Sequence, residues 1–362
     1  MKRVLVLGCT GSIGTNTLDI IRNTPDEFRL CGIQAHTSAD ALEKYAAEFG
    51  CPTLLTSSED AVSLQDFIGI TRPDIVVNGI AGAAGLRPSV TVLENGIPLA
   101  LANKETIVMA GPLVMRLAAK TGAKILPVDS EHSAVFCLSE KIGPASISEI
   151  IITASGGPFR TFTKEQLDSV TVEQALEHPT WKMGRKITVD SATLANKGLE
   201  VIEAANLFGL PAEKIEVAVH PQSLVHSLVR TNDGMLYAQI SDPDMRHPII
   251  NALRWPENRK TYMKPFDLMD TTMSFHRPRT DDFPMLRLAF GTVRNGGKYP
   301  AAFNAANEAA VQAFLDRRIK FTAIAETVES VLSSDWTGAA SDFDEVAEAD
   351  RTARKMAEEL LG

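Results

Sequence analysis

The sequence lacks any apolar run approaching the roughly 20 residues that span a bilayer. With 44% hydrophobic and 22% charged residues, its composition is that of an ordinary soluble globular protein. It also lacks a basic surplus, because Lys and Arg number 36 against 45 for Asp and Glu and the formal net charge is −9. We therefore expect neither a membrane nor nucleic acid as a partner, and any anionic ligand must bind in a local pocket.

Cysteine is scarce, and the four residues are scattered at Cys9, Cys31, Cys51 and Cys137. Their spacing fits no zinc pattern and they are too few for a disulfide scaffold, so we expect reduced thiols and a cytoplasmic location. The N-terminus begins as a strand and lacks the apolar length and cleavage site of a signal peptide. A longer precursor with an organelle-targeting extension is the alternative.

The length of 362 residues predicts two or three domains, because a single core usually splits beyond about 250–300 residues. Over residues 1–128, short β-rich runs alternate with amphipathic stretches, which is typical of βαβ units and of a doubly wound sheet. The strands are predicted at 3–7, 29–35, 53–56, 74–78, 97–101 and 124–128. Helices are predicted at 12–22, 38–49 and 104–120.

The pattern changes after this first α/β domain. Residues 129–254 are predicted to be a central α+β domain, with a strand at 149–154, a helix at about 192–208 and a hairpin at Asp233-Gly234. The proline-rich and charged stretch 255–282 predicts an irregular connector. Residues 283–362 predict a helical C-terminal domain. Its helices are expected at 284–294, 302–315, 322–333 and 344–361.

A glycine-rich segment, Gly8-Cys9-Thr10-Gly11-Ser12-Ile13-Gly14, joins the first strand to the first helix. Glycines there allow a tight turn and close approach of a pyrophosphate, and the helix N-terminus presents free N–H groups. This context predicts dinucleotide binding. The end of the second strand carries His36, Thr37 and Ser38 and no carboxylate before Asp40, which favours a 2′-phosphate and hence NADP. The alternative is a polar turn with Ser38 as a helix N-cap.

Acidic and polar residues follow the last strand of the sheet and recur further along the chain. Asp129 and Glu131 are suited to bind Mg²⁺ or Mn²⁺, although two acids can also simply begin a helix. In the polar run from Val189 to Glu200, a helix would place Asn196, Lys197 and Glu200 near one pocket. Lys197 and Asn196, with Ser191, suit a phosphate and Glu200 a metal. The alternative is an exposed Lys197–Glu200 pair.

These segments resemble the 1-deoxy-D-xylulose 5-phosphate reductoisomerase family along the whole chain. The motifs that carry the resemblance occur in order: the glycine segment, Ala102-Asn103-Lys104-Glu105, Pro127 to His132, Ser155 to Arg160, Trp181-Lys182-Met183-Gly184-Arg185-Lys186, Asp190 to Glu200, His220-Pro221-Gln222-Ser223, Pro243-Asp244-Met245-Arg246 and Asn304-Ala305-Ala306-Asn307-Glu308. The resemblance implies a Rossmann-like NADPH domain, a central catalytic domain and a helical domain, normally assembled as a homodimer.

The resemblance also implies a reaction and a set of site residues. The reaction is rearrangement and reduction of 1-deoxy-D-xylulose 5-phosphate to 2-C-methyl-D-erythritol 4-phosphate, in non-mevalonate isoprenoid precursor synthesis. The metal, Mn²⁺, Mg²⁺ or Co²⁺, would be held by Asp129, Glu131 and Glu200. NADPH would contact Thr10, Gly11, Ser12, Ile13, His36, Thr37, Ser38, Asn103 and Glu105. The sugar phosphate would contact Lys104, Ser130, Glu131, Ser155, His178, Trp181, Ser191, Asn196, Lys197 and Glu200.

Some of these roles have an ordinary structural alternative. Lys104 is placed to stabilise negative charge near the hydride path, although a lone Lys at a helix start is more often solvated. Trp181 and Met183 resemble a lid that excludes water, although Trp and Met are more often core residues. We expect His220, His226 and His247 to be structural. The other function classes are a metal-independent Rossmann dehydrogenase, such as a semialdehyde or dihydrodipicolinate reductase, and a non-catalytic NADP-binding protein.

Overall fold

The computed structural model of the chain describes residues 1–181 and 183–362. Contacts between residues divide the chain into two compact units. The first unit comprises Met1–Thr106, Val114–Ser133 and Asp244–Pro265, and the second comprises Ile107–Leu113, Ala134–Pro243 and Phe266–Gly362. Within the described residues, none of the helices has the length and apolar character needed to cross a membrane.

The first unit is built on a parallel sheet whose six strands all fall where the sequence predicts them. The strands are β1 (Lys2–Leu7), β2 (Phe28–Ala35), β3 (Thr53–Leu55), β4 (Ile75–Asn78), β5 (Leu99–Leu101) and β6 (Ile125–Pro127), in the order β3-β2-β1-β4-β5-β6. The helices that follow these strands along the chain are α1 (Ser12–Asn23), α2 (Ala39–Phe49), α3 (Leu64–Thr71), α4 (Leu86–Glu94), α5 (Lys104–Thr121) and α6 (Ser130–Ile142), and a 3₁₀ turn spans Ala83–Gly85. Ile107–Leu113 of α5 and the part of α6 from Ala134 onward belong to the second unit. The prediction of a doubly wound domain is confirmed.

The centre of this sheet determines where a ligand can bind. Val4, Leu5, Val6 and Leu7 of β1 are all fully buried, as expected for a strand covered on both faces. β1 pairs with β2 on one side and with β4 on the other. Because the strand order reverses at β1, a crevice opens beyond its carboxyl end, and ligands of open α/β sheets bind there.

Helix α11 (Arg246–Arg254) is an element that the sequence analysis did not predict. It packs on α1 within the first unit. The Arg254 guanidinium donates to both oxygens of Glu27, at 2.9 and 2.6 Å, and Arg246 donates to Asp19 at 3.1 Å. Asp244–Pro265 therefore packs within the first unit, whereas the predicted boundaries of 129–254 and 255–282 assign it to the central domain and the connector.

The second unit contains a mixed sheet of four strands in the order β10-β9-β7-β8. They are β7 (Ile147–Ala154), β8 (Ile215–Val219), β9 (Val225–Thr231) and β10 (Leu236–Ile240). β9 and β10 form the predicted hairpin around Asp233-Gly234, where Gly234 has a φ of 85°. Its helices are α7 (Lys164–Leu167), α8 (Val172–Leu176), α9 (Arg185–Ala192), α10 (Ala195–Phe208), α12 (Pro284–Asn295), α13 (Tyr299–Leu315), α14 (Ala323–Leu332) and α15 (Phe343–Leu361).

One apolar core holds the second unit together. Strand residues such as Ile150 and Ile152 pack with Val201 of α10 and with Phe314 of α13. The four predicted C-terminal helices are confirmed as α12 to α15, and α12, α13 and α14 share this core with the sheet. The core therefore fixes α10, the helix that carries Lys197 and Glu200, against the strand β7.

The predicted helix at about 192–208 begins at Ala195, after a break. Leu194 has a φ of 61° and separates α9 from α10. A left-handed conformation is uncommon for a leucine. Here it is held by burial, since Leu194 is only 4% exposed. The break places Ser191 at the end of one helix and Asn196 and Lys197 in the first turn of the next.

Candidate active site

The glycine turn in the first unit has the geometry that a pyrophosphate site requires. Gly8 has a φ of 75°, and a Cβ atom on it would lie 2.9 Å from the backbone of Gly79. A Cβ on Gly14 would lie 2.4 Å from the Cα of Cys9, so only glycine lets α1 pack this closely on the turn. Gly11 is the N-cap of α1, and the first N–H groups of a helix have no acceptor within it. The turn from Thr10 to Ile13 thus has a geometry suited to an anion.

The end of β2 leaves three polar side chains exposed. His36, Thr37 and Ser38 are all exposed, and the Nδ1 atom of His36 lies 3.0 Å from the Oγ1 atom of Thr56. Ser38 occupies the N-cap position of α2, as the alternative interpretation predicts, but its side chain makes no capping hydrogen bond. Its hydroxyl is therefore available to a ligand.

Asn103 and Glu105 organise the loop beyond β4. The amide of Asn103 donates to the carbonyl oxygens of Ile80 and Gly82 and to Glu105, at 2.9, 2.8 and 2.9 Å. Its Oδ1 atom accepts the N–H of Thr106 and so caps α5. Asn103 is 2% exposed. Both the amide nitrogen and the amide oxygen of Asn103 form hydrogen bonds within the protein. This side chain is therefore better suited to position the loop than to bind a ligand directly.

Lys104 and Asp129 form an ion pair at the carboxyl edge of the same sheet. The Lys104 Nζ atom lies 3.0 Å from Asp129 Oδ2, and Lys104 is 6% exposed, so it is not the solvated Lys of the alternative interpretation. Asp129 Oδ1 accepts the N–H of Glu131 at 3.1 Å and thereby caps α6. The Ser130 hydroxyl donates to Glu131 at 2.5 Å. Two carboxylates and one ammonium group are thus fixed beyond β5 and β6.

The second unit buries the other predicted charges. Lys197 Nζ lies 2.6 Å from Glu200 Oε2 and donates to the carbonyl oxygen of Thr153 at 2.7 Å. Asn196 donates to Glu200 Oε1 at 2.5 Å. Lys197 is 5% and Glu200 1% exposed, so the alternative of an exposed surface pair is wrong. Burying charges is costly unless they are paired, and such an arrangement is typical of a functional site.

His178 lies between the two serines that are predicted to bind phosphate. Its Nε2 atom is 3.1 Å from Ser155 Oγ and 3.0 Å from Ser191 Oγ. Its Nδ1 atom accepts the backbone N–H groups of Thr180 and Trp181, at 3.1 and 2.9 Å. Nδ1 therefore carries no proton, and a neutral imidazole presents its Nε2–H to the serines.

The protonation state of His178 follows from its surroundings. Burial, and then the positive charge of Lys197, lower the pKa of His178 from 6.5 to about 4. The ring is therefore neutral at neutral pH. Together Ser155, Ser191, His178 and Lys197 provide two hydroxyls, one N–H and one cation, which suits a phosphate dianion.

The predicted lid is described in part. The Trp181 ring is half-buried and lies 6.5 Å from the ring of His226, measured between centroids. His226 itself contacts Ser241 at 2.8 Å. Met183 is half-buried, and Lys182 of the same motif lies outside the described residues.

The structural role predicted for His220 is confirmed. Its Nε2 atom accepts the N–H of Leu224 at 3.1 Å, and its Nδ1 atom lies 2.9 Å from the carbonyl oxygen of Ser274. The ring stacks on Phe275 at 4.6 Å between centroids. Both ring nitrogens are thus used to hold loops of the second unit.

A buried polar group next to Ser191 was missed by the sequence analysis. Asp190 is 1% exposed, accepts a hydrogen bond from Asn307 at 2.8 Å and pairs with Lys186 at 2.8 Å. These contacts hold the end of α9 against α13, and Ser191 is the next residue. The motif around Asn307 was visible in the sequence, but nothing local indicated which distant residue it would bind.

Models of one enzyme family match most of the chain. The model described as 1-deoxy-D-xylulose 5-phosphate reductoisomerase matches residues 4–68 and 55–111. Two C-terminal domain models of the same enzyme match residues 125–208 and 240–356.

Similar proteins and solved structures agree with these models. The 1-deoxy-D-xylulose 5-phosphate reductoisomerase of Treponema denticola is 49% identical over 98% of this chain and 96% of its own length. That of Treponema pallidum is 47% identical over 99% and 96%. The Zymomonas mobilis enzyme in complex with NADPH superposes with a TM-score of 0.90, at 39% identity and 99% coverage of both chains. A reductoisomerase complex with NADPH, fosmidomycin and magnesium also gives 0.90, at 36% identity, covering 100% of this chain and 98% of that one.

Proposed function

The chain belongs to the 1-deoxy-D-xylulose 5-phosphate reductoisomerase family, and we propose that Asp129, Glu131 and Glu200 hold its metal while the second unit holds the phosphate of the substrate. The enzyme converts 1-deoxy-D-xylulose 5-phosphate into 2-C-methyl-D-erythritol 4-phosphate with NADPH and a divalent metal. The observation that carries the assignment of residues is the half-buried cluster of Ser155, His178 and Ser191 beside the buried Lys197.

The phosphate cluster positions the substrate. The hydroxyls of Ser155 and Ser191, the neutral ring of His178 and the ammonium of Lys197 bind the phosphate, with Asn196 next to Lys197 in the same helical turn. Charge-assisted hydrogen bonds in a buried site are the strong ones. Held by its phosphate, the sugar is fixed in one orientation, which lowers the entropic cost of the reaction.

The proposed metal ligands fit the donor set that Mg²⁺, Mn²⁺ or Co²⁺ prefers. The three acids each offer a carboxylate oxygen, and hard divalent cations bind such oxygens. When bound, the metal supplies a Lewis acid that polarises the substrate carbonyl.

The remaining residues bind the cofactor and close the site. Thr10 to Ile13 accept the pyrophosphate of NADPH, His36 to Ser38 contact its 2′-phosphate, and Asn103 with Glu105 holds the neighbouring loop. Lys104 stabilises negative charge that develops on the substrate, and Ser130 contacts the sugar. Trp181 and Met183 cover the ligand and exclude water, which strengthens the electrostatic interactions inside.

One assay tests the proposal as a whole. The purified protein is mixed with 1-deoxy-D-xylulose 5-phosphate, NADPH and Mg²⁺ or Mn²⁺, and the loss of absorbance of the reduced nicotinamide is followed. We expect turnover that a chelator abolishes and that added metal restores. Turnover that persists in the chelator would overturn the metal assignment.

The proposed cofactor contact of His36 is tested by removing its side chain. In His36→Ala the ratio of kcat/KM for NADPH to that for NADH should fall, because one contact to the 2′-phosphate is lost. NADPH should stay the better cofactor, because the exposed hydroxyls of Thr37 and Ser38 remain. A ratio equal to that of the parent would show that His36 is only a turn residue.

We also propose that the enzyme is a homodimer and that β10 forms part of its interface. β10 lies at the edge of the second unit's sheet, and Leu236, Tyr237 and Ile240 on it are 46, 45 and 39% exposed. An edge strand with apolar side chains favours pairing with a second copy. Tyr237→Lys should therefore shift the mass in sedimentation equilibrium towards the monomer.

A matched variant controls for surface charge in this experiment. The control is Ile70→Lys, a substitution of an apolar residue of the first unit that is 59% exposed. It should leave the mass unchanged. If the parent is monomeric, or if Tyr237→Lys dimerises like the parent, the interface lies elsewhere.

A cytoplasmic location is proposed from the thiols. None of the four cysteines, all of which lie within the described residues, forms a disulfide, which suits a reducing compartment. Burial raises the pKa of Cys9, Cys31 and Cys51 to about 11. These three thiols therefore react slowly as nucleophiles.

A further inference from the structure

A second basic pocket lies in the second unit, outside the residues assigned to substrate and cofactor. It is an open cavity of about 420 Å³, within the size range of small-ligand sites. Arg160, Arg277, Arg279 and His276 line it, and among the described residues no carboxylate does. A concentration of cations in a chain of net charge −9 needs a physical reason.

One of the three arginines is fixed by the protein itself. Arg279 pairs with Asp282, at 2.8 Å from its Nε atom and 2.6 Å from its Nη2 atom. It also donates to the carbonyl oxygens of Arg160 and Phe162, at 2.9 and 2.8 Å. Arg279 therefore forms a rigid wall of the pocket, and its charge is largely compensated.

The other two arginines have charge to offer a ligand. Within the part of the chain that the structure describes, the guanidinium groups of Arg160 and Arg277 make no hydrogen bond or ion pair. The charge of Arg277 also acts on Glu216, whose pKa is raised by burial and by Glu149, against the opposing effect of Arg230 and Arg277. Arg160 is exposed at the cavity. Guanidinium groups bind phosphate oxygens in a bidentate manner.

The remaining walls of the cavity are partly apolar. Leu194, Val219 and Phe283 line it and are each less than 10% exposed, at 4, 7 and 3%. Gln222 and Ser274, which hydrogen-bond each other at 3.1 Å, add a polar edge. Such a mixture suits a ligand with an anionic group and a small apolar body.

We propose that this cavity binds a phosphate ester with a small apolar body, at a site separate from the substrate's phosphate cluster. Arg160 and Arg277 bind the phosphate, Arg279 fixes the wall beside them, and the apolar body packs on Leu194, Val219 and Phe283.

The cavity is connected to the substrate site through two residues of its own lining. Gly156, with a φ of 82°, follows Ser155, and Leu194, with a φ of 61°, stands between Ser191 and Asn196. A ligand that contacts both acts on segments that carry the substrate's phosphate ligands. Its occupancy should change the KM for the sugar phosphate, and by thermodynamic reciprocity the sugar phosphate should change its affinity. This coupling rests on the proposed function, whereas binding in the cavity does not.

Calorimetric titration with phenyl phosphate tests the binding itself. The full chain is used with NADPH saturating and without divalent metal, and inorganic phosphate serves as the comparison probe. Four proteins are compared: the parent, Arg160→Gln/Arg277→Gln, Lys197→Ala and the control Arg351→Gln, an exposed arginine of α15. We expect the double variant to bind phenyl phosphate at least about tenfold more weakly at one site, since two charge-assisted contacts are lost.

The other proteins separate this site from the substrate cluster. Lys197→Ala should keep the cavity site and lose the substrate site, which distinguishes a failure of this proposal from a failure of the proposed function. Unchanged affinity for phenyl phosphate in the double variant would overturn the proposal. An equal loss of affinity in Arg351→Gln would also overturn it, because it would indicate unspecific charge attraction. Inorganic phosphate binding as tightly as phenyl phosphate would overturn the assignment of the apolar body.

Discussion

Asp129→Asn is expected to reduce metal-dependent turnover by at least about a hundredfold, since even residues that only orient metal ligands cost 10–100-fold when changed. The substitution removes one negative charge and keeps the side chain's size, so packing is preserved. The amide oxygen that replaces the carboxylate can still accept the N–H of Glu131, which Asp129 accepts at 3.1 Å, and the cap of α6 is retained. The apparent affinity for Mg²⁺, NADPH binding and the urea midpoint of unfolding are measured together. Metal affinity and turnover should fall and NADPH binding should stay, while the midpoint should fall because Lys104 loses its carboxylate partner at 3.0 Å.

Glu200→Gln should lose turnover to a similar degree but should also lose stability. Glu200 is 1% exposed and lies 2.6 Å from the ammonium of Lys197. Removing one partner of a buried ion pair leaves the other charge poorly compensated, which costs about 3–5 kcal/mol. Glu200→Gln should therefore show a lowered midpoint besides its catalytic defect, and the drop should exceed that of Asp129→Asn because the Lys197–Glu200 pair is the more deeply buried of the two.

Glu203→Gln provides a matched control on the same helix. Glu203 is 2% exposed and lies three residues after Glu200 on α10. The substitution makes the same chemical change at a residue that is not a proposed metal ligand. The turnover of Glu203→Gln should therefore depend on the Mg²⁺ concentration as the turnover of the parent does. If Asp129→Asn and Glu200→Gln keep turnover within a fewfold of the parent at saturating metal, these residues do not bind the ion.

The sequence predicts the parts of this fold whose signals are local. The six strands of the first unit are apolar runs between turns. The glycine turn needs Gly8 for its φ of 75° and Gly14 for the close approach of α1 to Cys9. The hairpin around Asp233-Gly234 and the four C-terminal helices follow from turn chemistry and helical periodicity in the same way. Each of these features depends on residues that are close in the sequence.

What the sequence did not predict depends on contacts between distant residues. Arg254 of α11 binds Glu27, a partner that is 227 residues away. Asn307 binds Asp190 across 117 residues. Neither pairing leaves a periodic or motif signal, because a polar side chain does not specify its partner. The burial of Lys197 and Glu200 is a third example, since a Lys and a Glu three residues apart on a helix are more often exposed.

Lys197→Ala is expected to raise the KM for the sugar phosphate by about 10- to 150-fold, because a charge-assisted phosphate contact contributes about 1.5–3 kcal/mol. The affinity for NADPH should stay near that of the parent. The unphosphorylated sugar, 1-deoxy-D-xylulose, gives a sharper comparison. Its weak turnover in the parent should be nearly unaffected by the substitution, because it has no phosphate for Lys197 to bind.

An NMR titration of His178 distinguishes the loss of the Lys197 charge from damage to the structure in Lys197→Ala. In the parent, burial and then the charge of Lys197 hold the pKa of His178 at about 4. Without the ammonium group, the pKa of His178 should rise in an NMR titration, yet stay below 6.5 because burial still opposes protonation. Lys197→Met, which keeps most of the side chain's volume, should show the same rise with a smaller loss of stability. If KM for the phosphorylated and unphosphorylated sugars rises equally, or if NADPH binding weakens instead, Lys197 does not bind the substrate's phosphate.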